Sequence, residues 1–451
     1  MNAKQSEPVS PARRAAFDIL IQIETQRAYA SVLVAALSES DLSREDRALA
    51  QEIVLGVLRW QRSLDYFIER YSERSIERFD RPVLIALRIG LYQLRHLTRV
   101  PQSAAVNQSV NLVKRARVAS AASAVNAVLR QAVRQLDETA GRGIADPLER
   151  ASVELSHPRW MLERWQSSFG DPETRQLALA NNSPPSTAFR VNTLRTSVKD
   201  VLDHLKAEGV TTRDSQVALG AFVVTSGPAS FVIQAARRGL IYPQDEASQL
   251  VSILLEPRRG QRVLDLCAAP GSKTSHIAVL TEDNAWIIAS DRHPHRLTTL
   301  RATSARFGLK SVDAVALDAT GVLPFVAAER EFDRVLVDAP CSGTGTLRGN
   351  PEIKWRLSPE DITRLADLQL SLLEAAASSV ATGARLVYST CSIEREENEE
   401  VVGRFLDTTT LFRVIEPHAS AALITSDRFV RTYPHRDGTD GFFAAVFERM
   451  R

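Results

Sequence analysis

A chain of 451 residues, 44% hydrophobic and 24% charged, is too long for one core and too evenly mixed for a disordered or fibrous protein, so two or three domains are expected. The formal net charge of +2 singles out no partner. A polar start, MNAKQSEPVSPARR, and the lack of any stretch near the roughly 18 uninterrupted apolar residues of a membrane span point to a cytoplasmic protein without a membrane segment. The three cysteines fit a reducing compartment better than a disulfide framework. The histidines are scattered, and the pair His293 and His295 has no ligand set at metal spacing, so no metal is expected.

Residues 11 to 136 read as helices. AAFDILIQI, DRALAQEIVLGVLRWQRSLDYFIERY, RPVLIALRIGLYQL and SAVNAVLRQAVRQL repeat apolar residues at three- and four-residue steps. Ser43 before an acidic first turn, and Pro82 and Pro101, sit where helices begin. The spacing predicts an all-α bundle of five to seven helices over residues 1–136. Between Arg81 and Leu136 nine basic residues stand with no Asp or Glu, including Lys114, Arg115 and Arg117. Such a block neutralises phosphates or is a solvated face of an arginine-rich chain, and the sequence weights the two equally.

Residues 137–156 lose the apolar period and concentrate acids, Gly and a Pro, which predicts a linker. From 157 to 242 the helix RWMLERWQSSFG precedes the turn cluster NNSPPS and the short strands STAFRVN and GAFVVTS. This is a small α+β module, with Arg190 and Asn192 on a strand as candidate RNA contacts. From 243 to 451 helices alternate with strands at VLDLC, WIIASD, AVALD, RVLVDAP and RLVYSTC, and a final GFFAAVFERM reads as a strand returning to the sheet edge. Parallel strands need crossover helices, so a doubly wound α/β sheet follows.

After VLDL, the run Cys267-Ala268-Ala269-Pro270-Gly271-Ser272-Lys273 opens a helix. Its small residues let a ligand approach the backbone, and the helix start offers free amides. One glycine is too few for the dinucleotide fingerprint, and Ser272 between Gly271 and Lys273 breaks the P-loop pattern. Asp291, 20 residues beyond Gly271, ends the next strand, where an acid grips ribose hydroxyls, and Asp318 ends the one after. A small-residue loop with two such acids suits a nucleoside without pyrophosphate, of which S-adenosylmethionine is the common one.

All three cysteines lie where apolar runs end in small or polar residues: Cys267, Cys341 in VDAPCSGTG and Cys391 in LVYSTCSIE. An isolated Cys is usually a small buried hydrophobe. Here Asp338 stands three residues before Cys341, and Cys391 ends a neighbouring strand. Methylating carbon 5 of a cytosine asks for a thiolate at carbon 6, an acid at the base edge and a means of release. Lys273 is a candidate to favour the thiolate. These residues alone do not rank Cys341 against Cys391.

DLCAAPGSKT, DAPCSGTG and YSTCSIEREENE, with NNSPP, RVNTL, QDEASQLV and the terminal DGFF, resemble the RNA cytosine-5 methyltransferases of the Nol1/Nop2/Sun family over residues 157–451. The N-terminal RALAQEIVLGVLR, ALRIGLYQL, VPQSAAVNQSVNLVKR and VNAVLR are similar to the NusB family. The resemblance implies a NusB-like RNA-binding bundle, a small RNA-binding α+β module and a Rossmann-like class I methyltransferase domain. It also implies Cys391 as nucleophile, Cys341 for release and Asp338 on the base. The cofactor, S-adenosylmethionine, then falls to residues 267–273, Asp291, Arg296, Asp318 and Asp338. The implied substrate is 16S ribosomal RNA, naked or in an early small-subunit intermediate, methylated at carbon 5 of a cytosine by a monomer. The resemblance implies cytosine 967 as the target. Ser272 stands where the family often has Gly, and Ala127 follows Asn126 where NusB-like chains usually have Gly.

Two other readings compete. A DNA cytosine methyltransferase would use Cys341 and leave the Thr390–Cys391 pair unexplained. A non-enzymatic RNA-binding or elongation factor would have no use for two cysteines among aligned carboxylates.

Overall fold

The structure, a computed structural model, describes residues 9–324 and 331–450, so the first eight residues of the polar start lie outside it. The chain divides into two compact units. One runs to Ser183 and includes Leu347–Arg356. The other comprises Pro184–Thr346 and the chain from Leu357 onward.

Seven α-helices carry the first part of the helical unit: α1 (Pro11–Gln26), α2 (Ala30–Ala36), α3 (Arg44–Arg59), α4 (Gln61–Ser72), α5 (Arg81–His96), α6 (Gln102–Arg115) and α7 (Ala122–Arg134). Ser43 caps α3 by accepting from the Asp46 amide. Pro82 stands in the first turn of α5, where the missing N–H costs nothing. The central α5 is buried on nearly every face from Val83 to Gln93, because helices pack all round it.

The expected linker is partly helical. Asp146 caps α8 (Pro147–Glu154) through the Leu148 and Glu149 amides, and α8 buries Ala151 and Val153 against this unit. The helices α9 (Arg159–Phe169) and α10 (Asp171–Asn181) also pack with this unit, which runs on to Ser183. Leu347–Arg356 is a second departure. Buried Lys354 donates through Nζ to the Arg59 carbonyl (2.8 Å), the Ser156 carbonyl (2.8 Å) and Asn182 Oδ1 (3.0 Å). Trp355 Nε1 donates to the Leu58 carbonyl (2.7 Å), and Arg356 to the carbonyls of Ile23 and Ala28. Carbonyls at helix ends have no partner within their own helix, and three basic and indole donors satisfy them here.

In the second unit, β1 (Thr187–Val191), α11 (Val198–Ala207), β2 (Thr211–Asp214), β3 (Ala221–Ser226), α12 (Ala229–Arg237) and β4 (Ile241–Pro243) make an antiparallel sheet of order β2-β3-β1-β4. This is a split βαβ arrangement, cored by Phe189, Leu205, Phe222 and Ile241.

The eight-stranded sheet uses β5 (Arg262–Asp265), β6 (Trp286–Asp291), β7 (Val312–Ala316), β8 (Phe332–Asp338), β9 (Val380–Thr390), β10 (Phe412–Val414), β11 (Val430–Thr432) and β12 (Phe442–Arg449). Its order is β10-β12-β9-β8-β5-β6-β7, with β11 paired to β12. The pairs among β5–β9 are parallel, and β12 is antiparallel to β9 and β10. GFFAAVFERM is therefore an interior strand rather than an edge, because β10 adds outside it. That placement explains its unbroken apolar run, with Phe443, Ala445 and Phe447 facing one core and Phe442, Ala444 and Val446 the other. The chain runs from β5 to β6 and β7 on one side and to β8 and β9 on the other. The carboxyl ends of β5 and β8 thus flank a topological switch point, where ligands of such sheets bind.

Candidate active site

A cavity of about 340 Å³ opens at that switch point, lined by Cys267, Asp291, Asp338, Cys341 and Cys391. They come from the carboxyl ends of four strands, β5, β6, β8 and β9, or the loops just past them. The Pro-Cys loop follows β8 and the Thr-Cys loop follows β9. They are joined by backbone bonds, from the Ala339 amide to the Ser389 carbonyl (2.9 Å) and from the Gly345 amide to the Cys391 carbonyl (3.0 Å). Gly345 cannot be larger, since a Cβ there would lie 1.9 Å from the Gly441 carbonyl oxygen. This close approach explains the glycine-rich loop and the terminal DGFF together.

The two thiols meet: Cys341 Sγ lies 3.3 Å from Cys391 Sγ. Lys273, from the first turn of α14 (Ser272–Leu280), donates to Asp338 Oδ2 (2.7 Å), and Ser389 Oγ donates to Oδ1 (2.9 Å). Burial would lower the lysine, but Asp338 first, then Cys391 and Asp265, outweigh it and hold the ammonium above its usual value. Lys273 is therefore a fixed positive charge held against Asp338. The hydrogen bond to Cys391 and then burial push the Cys341 thiol well above its ordinary value, with Glu397 adding to the rise. Burial, then the charge of nearby acids, raises Cys267 as well. Burial also pushes Asp265 up to about 7. Thr274 opposes that rise by donating to its Oδ2 (2.7 Å), and its Oδ1 has no partner.

The loop Cys267–Lys273 turns at Gly271, whose φ of +100° only glycine adopts easily and whose Cβ would sit 2.8 Å from Leu300. Ser272 is the first residue of α14 and Ala269 lines the cavity. Asp291 is nearly buried. Its Oδ1 accepts from the His293 amide (2.8 Å) and its Oδ2 lies 3.3 Å from Arg296, which also donates to the Ala269 carbonyl (2.9 Å). Arg296 thereby ties the acid to the loop. A loop this small beside a positioned carboxylate fits a nucleoside cofactor. Asp318 lies two residues past the end of β7. Its carboxylate bonds Thr320 and faces Arg292, which lower it, while Leu317, Ala319 and Thr320 line the cavity.

The structure places the candidate RNA contacts Arg190 on β1 and Asn192 just past its end. Both are buried: Arg190 donates to Gln244 Oε1 (2.8 Å) and Ser275 Oγ (2.7 Å), and Asn192 to the Gly239 carbonyl (3.0 Å). They brace the backbone because a strand facing two layers buries its polar residues only with internal partners. Lys114, Arg115 and Arg117 are exposed on or just after α6. Several residues went unread in the sequence: Glu397, Ser342, Ser392, Gln369 and Ser389, all polar groups that support the two loops. Ser342, Ser389 and Ser392 were signalled only by their position beside the cysteines, and Gln369 and Glu397 carried no local signal.

The folds and the site define a methyltransferase of the Rossmann-like class with an added helical domain. Residues 252–448 match the family described as 16S rRNA methyltransferase RsmB/F, residues 10–134 the NusB family, and residues 157–229 the ferredoxin-like domain of RsmF/B-like methyltransferases. The chain is 34% identical over 440 residues to the probable ribosomal RNA small subunit methyltransferase B of Bacillus subtilis, covering 96% of this chain and 97% of that one. It is 37% identical to the protein so described in Synechocystis, covering 97% and 99%. A solved structure, PH0851, superposes with a TM-score of 0.83 at 27% identity over 98% of this chain and 99% of that one. A methyltransferase homolog from Pyrococcus horikoshii gives 0.60 at 30% identity over 68% and 100%. The chain belongs to the RsmB/F family of 16S rRNA methyltransferases.

Proposed function

We propose that this enzyme methylates carbon 5 of a cytosine in 16S ribosomal RNA, the family's cytosine 967, through a covalent bond from Cys391 to carbon 6. The observation that carries this reading is the pair of thiols 3.3 Å apart beside a lysine-held Asp338 at the switch point. The Cys391 thiolate adds to carbon 6, and the displaced π electrons raise the electron density at carbon 5 while Asp338 holds the N3/N4 edge. S-adenosylmethionine, when bound by the 267–273 loop with Asp291, Arg296, Asp318 and Asp338, supplies a methyl group on a sulfonium. Carbon 5 takes that methyl group. The carbon 5 proton then passes to solvent and Cys391 leaves as the thiolate, which restores the ring, and Cys341 assists this release. Lys273 holds Asp338 in place until the base arrives and puts a positive charge at this end of the site. The substrate is naked RNA or an early small-subunit intermediate, held by exposed cations of the helical unit, and the protein acts as a cytoplasmic monomer.

Mapping 5-methylcytosine in 16S ribosomal RNA from cells with and without the protein tests this. One modified cytosine should disappear with the gene and return with the wild-type enzyme, and an unchanged map would overturn the assignment.

A further inference from the structure

Glu397 has no part in that chemistry, yet it is fully buried behind both thiols. It ends the short turn Arg395–Glu397, and four donors converge on its carboxylate. Oε1 accepts from the Ser342 amide (2.8 Å) and Gln369 Nε2 (3.0 Å), and Oε2 from the Ser392 hydroxyl (2.5 Å) and the Ser342 hydroxyl. Ser342 and Ser392 are the residues directly after Cys341 and Cys391. Gln369 is itself anchored, donating to the Pro340 carbonyl (2.9 Å) and accepting from Tyr388 (3.1 Å). One carboxylate therefore closes a network that spans both cysteine loops, in a dry interior where each such bond is strong and each lost partner is costly.

We propose that Glu397 is the positioning residue that sets the distance between the two thiols and makes them unequal, so that Cys391 and not Cys341 is the nucleophile. The inference rests on the roles given to the cysteines above. Its geometric basis is that Glu397 takes two bonds from Ser342, one of them from the main-chain amide, and only one from Ser392, so its negative charge is tied more firmly to the Cys341 loop, where it disfavours a second anion. Lys273, in contrast, is held by Asp338. The groups facing the pair are Glu397 and Tyr388 at Cys341, and Lys273 with its partner Asp338 at Cys391. Two adjacent thiols in a symmetric field would share one proton. A carboxylate tied to the loop of one of them breaks that symmetry.

Alkylation of the full-length enzyme with iodoacetamide, without RNA, reads this directly, since the thiolate is the reacting form. Mass spectrometry of the two cysteine peptides should show Cys391 modified first in the wild type. Glu397→Gln keeps the shape and removes the charge, and it should reduce the Cys391-to-Cys341 preference about tenfold, the effect of one pK unit. A folded Glu397→Gln with the wild-type preference overturns the proposal. If Glu397→Gln does not fold, Ser342→Ala removes the hydroxyl bond that helps to tie the charge to the Cys341 loop, without changing charge. It should lower the preference several-fold, and an unchanged preference again overturns the idea. Because no RNA is present, failure of the ribosomal RNA assignment would appear separately, as normal alkylation selectivity without methyl transfer.

Discussion

The cysteine cavity and the basic stretch of the helical unit were both prominent in the sequence, but folding treats them differently. At the cavity, residues far apart in the chain converge because each ends a strand of one sheet, and the sheet order brings the ends of β5, β8 and β9 side by side. In the helical unit, a stretch without acids does not become a surface without acids. Arg88 is buried against Asp65 (2.7 and 2.9 Å) and Glu24, Arg95 covers the Phe67 ring and donates to the Glu138 carbonyl, and Arg115 pairs with Asp18 (2.8 and 3.1 Å). Strand ends register chemistry in sequence. Helix faces do not, because charge balance is struck between helices.

If the cavity is the reactive region, the most severe losses should come from its thiols. Cys391→Ser should reduce methyl transfer to background and leave no covalent RNA species, since a serine hydroxyl is far less nucleophilic at neutral pH. Cys341→Ser should form the adduct and fail to resolve it, so a protein–RNA band should survive denaturing electrophoresis. The opposite pairing, with the trapped band requiring Cys341, would show a DNA-type mechanism. In the helical unit the comparable loss is one of stability. Arg88→Ala leaves Asp65 buried without its partner and should cost about 3–5 kcal/mol in chemical denaturation, with partial recovery in Arg88→Ala/Asp65→Ala. A near-neutral Arg88→Ala would mean that the arginine is not structural.

A smaller effect is expected in the sheet. Asp265 is raised in the fold to about 7 from an ordinary 3.8, so the folded state binds a proton that the unfolded chain has already lost. Its contribution to stability is fully present below about pH 4 and is lost as pH rises through 7. Asp265→Asn removes that dependence. The difference in melting temperature between wild type and variant should therefore move in favour of the wild type as pH falls from 7 to 5. A difference that stays constant over that range would place Asp265 in a more polar setting.

The strand ends, the cofactor loop and the two thiols were readable because period-two or continuous apolar runs stop abruptly at them, and the family motifs lie on those stops. Three things were not. The helix at Pro147–Glu154 was hidden because its short apolar face is interrupted by Arg150 and Ser152 and completed only by packing. The return of Leu347–Arg356 to the helical unit has no local signature, since its partners are the backbone carbonyls of Arg59 and Ser156. Arg190 and Asn192 looked like RNA contacts because a polar residue on a strand reads as exposed, and a buried guanidinium satisfied by Gln244 and Ser275 carries the same letters. Glu397 is a similar case. In the run EREENEE it is one acid among five, and only the fold turns it towards the cysteines.

The finest test concerns what remains of the basic stretch once its internal pairs are set aside. RNA binding by cations releases counterions, and each phosphate contact adds about 0.7 to the slope of log affinity against log salt for single strands. Lys114 and Arg117 are exposed, so replacing both with Ala should lower the slope by about 1.4 if both touch phosphate. Arg115 is also exposed, but its guanidinium is shared with Asp18, an exposed pair of little intrinsic worth that still halves the charge offered to RNA. Arg115→Ala should therefore change the slope less than either neighbour, and Asp18→Asn should steepen it by releasing the arginine. If Asp18→Asn leaves the slope unchanged while Lys114→Ala and Arg117→Ala lower it, the RNA follows the end of α6 and bypasses α1. If none of the four changes matters, the stretch is a solvated face, and the cations that hold the RNA lie elsewhere on the protein.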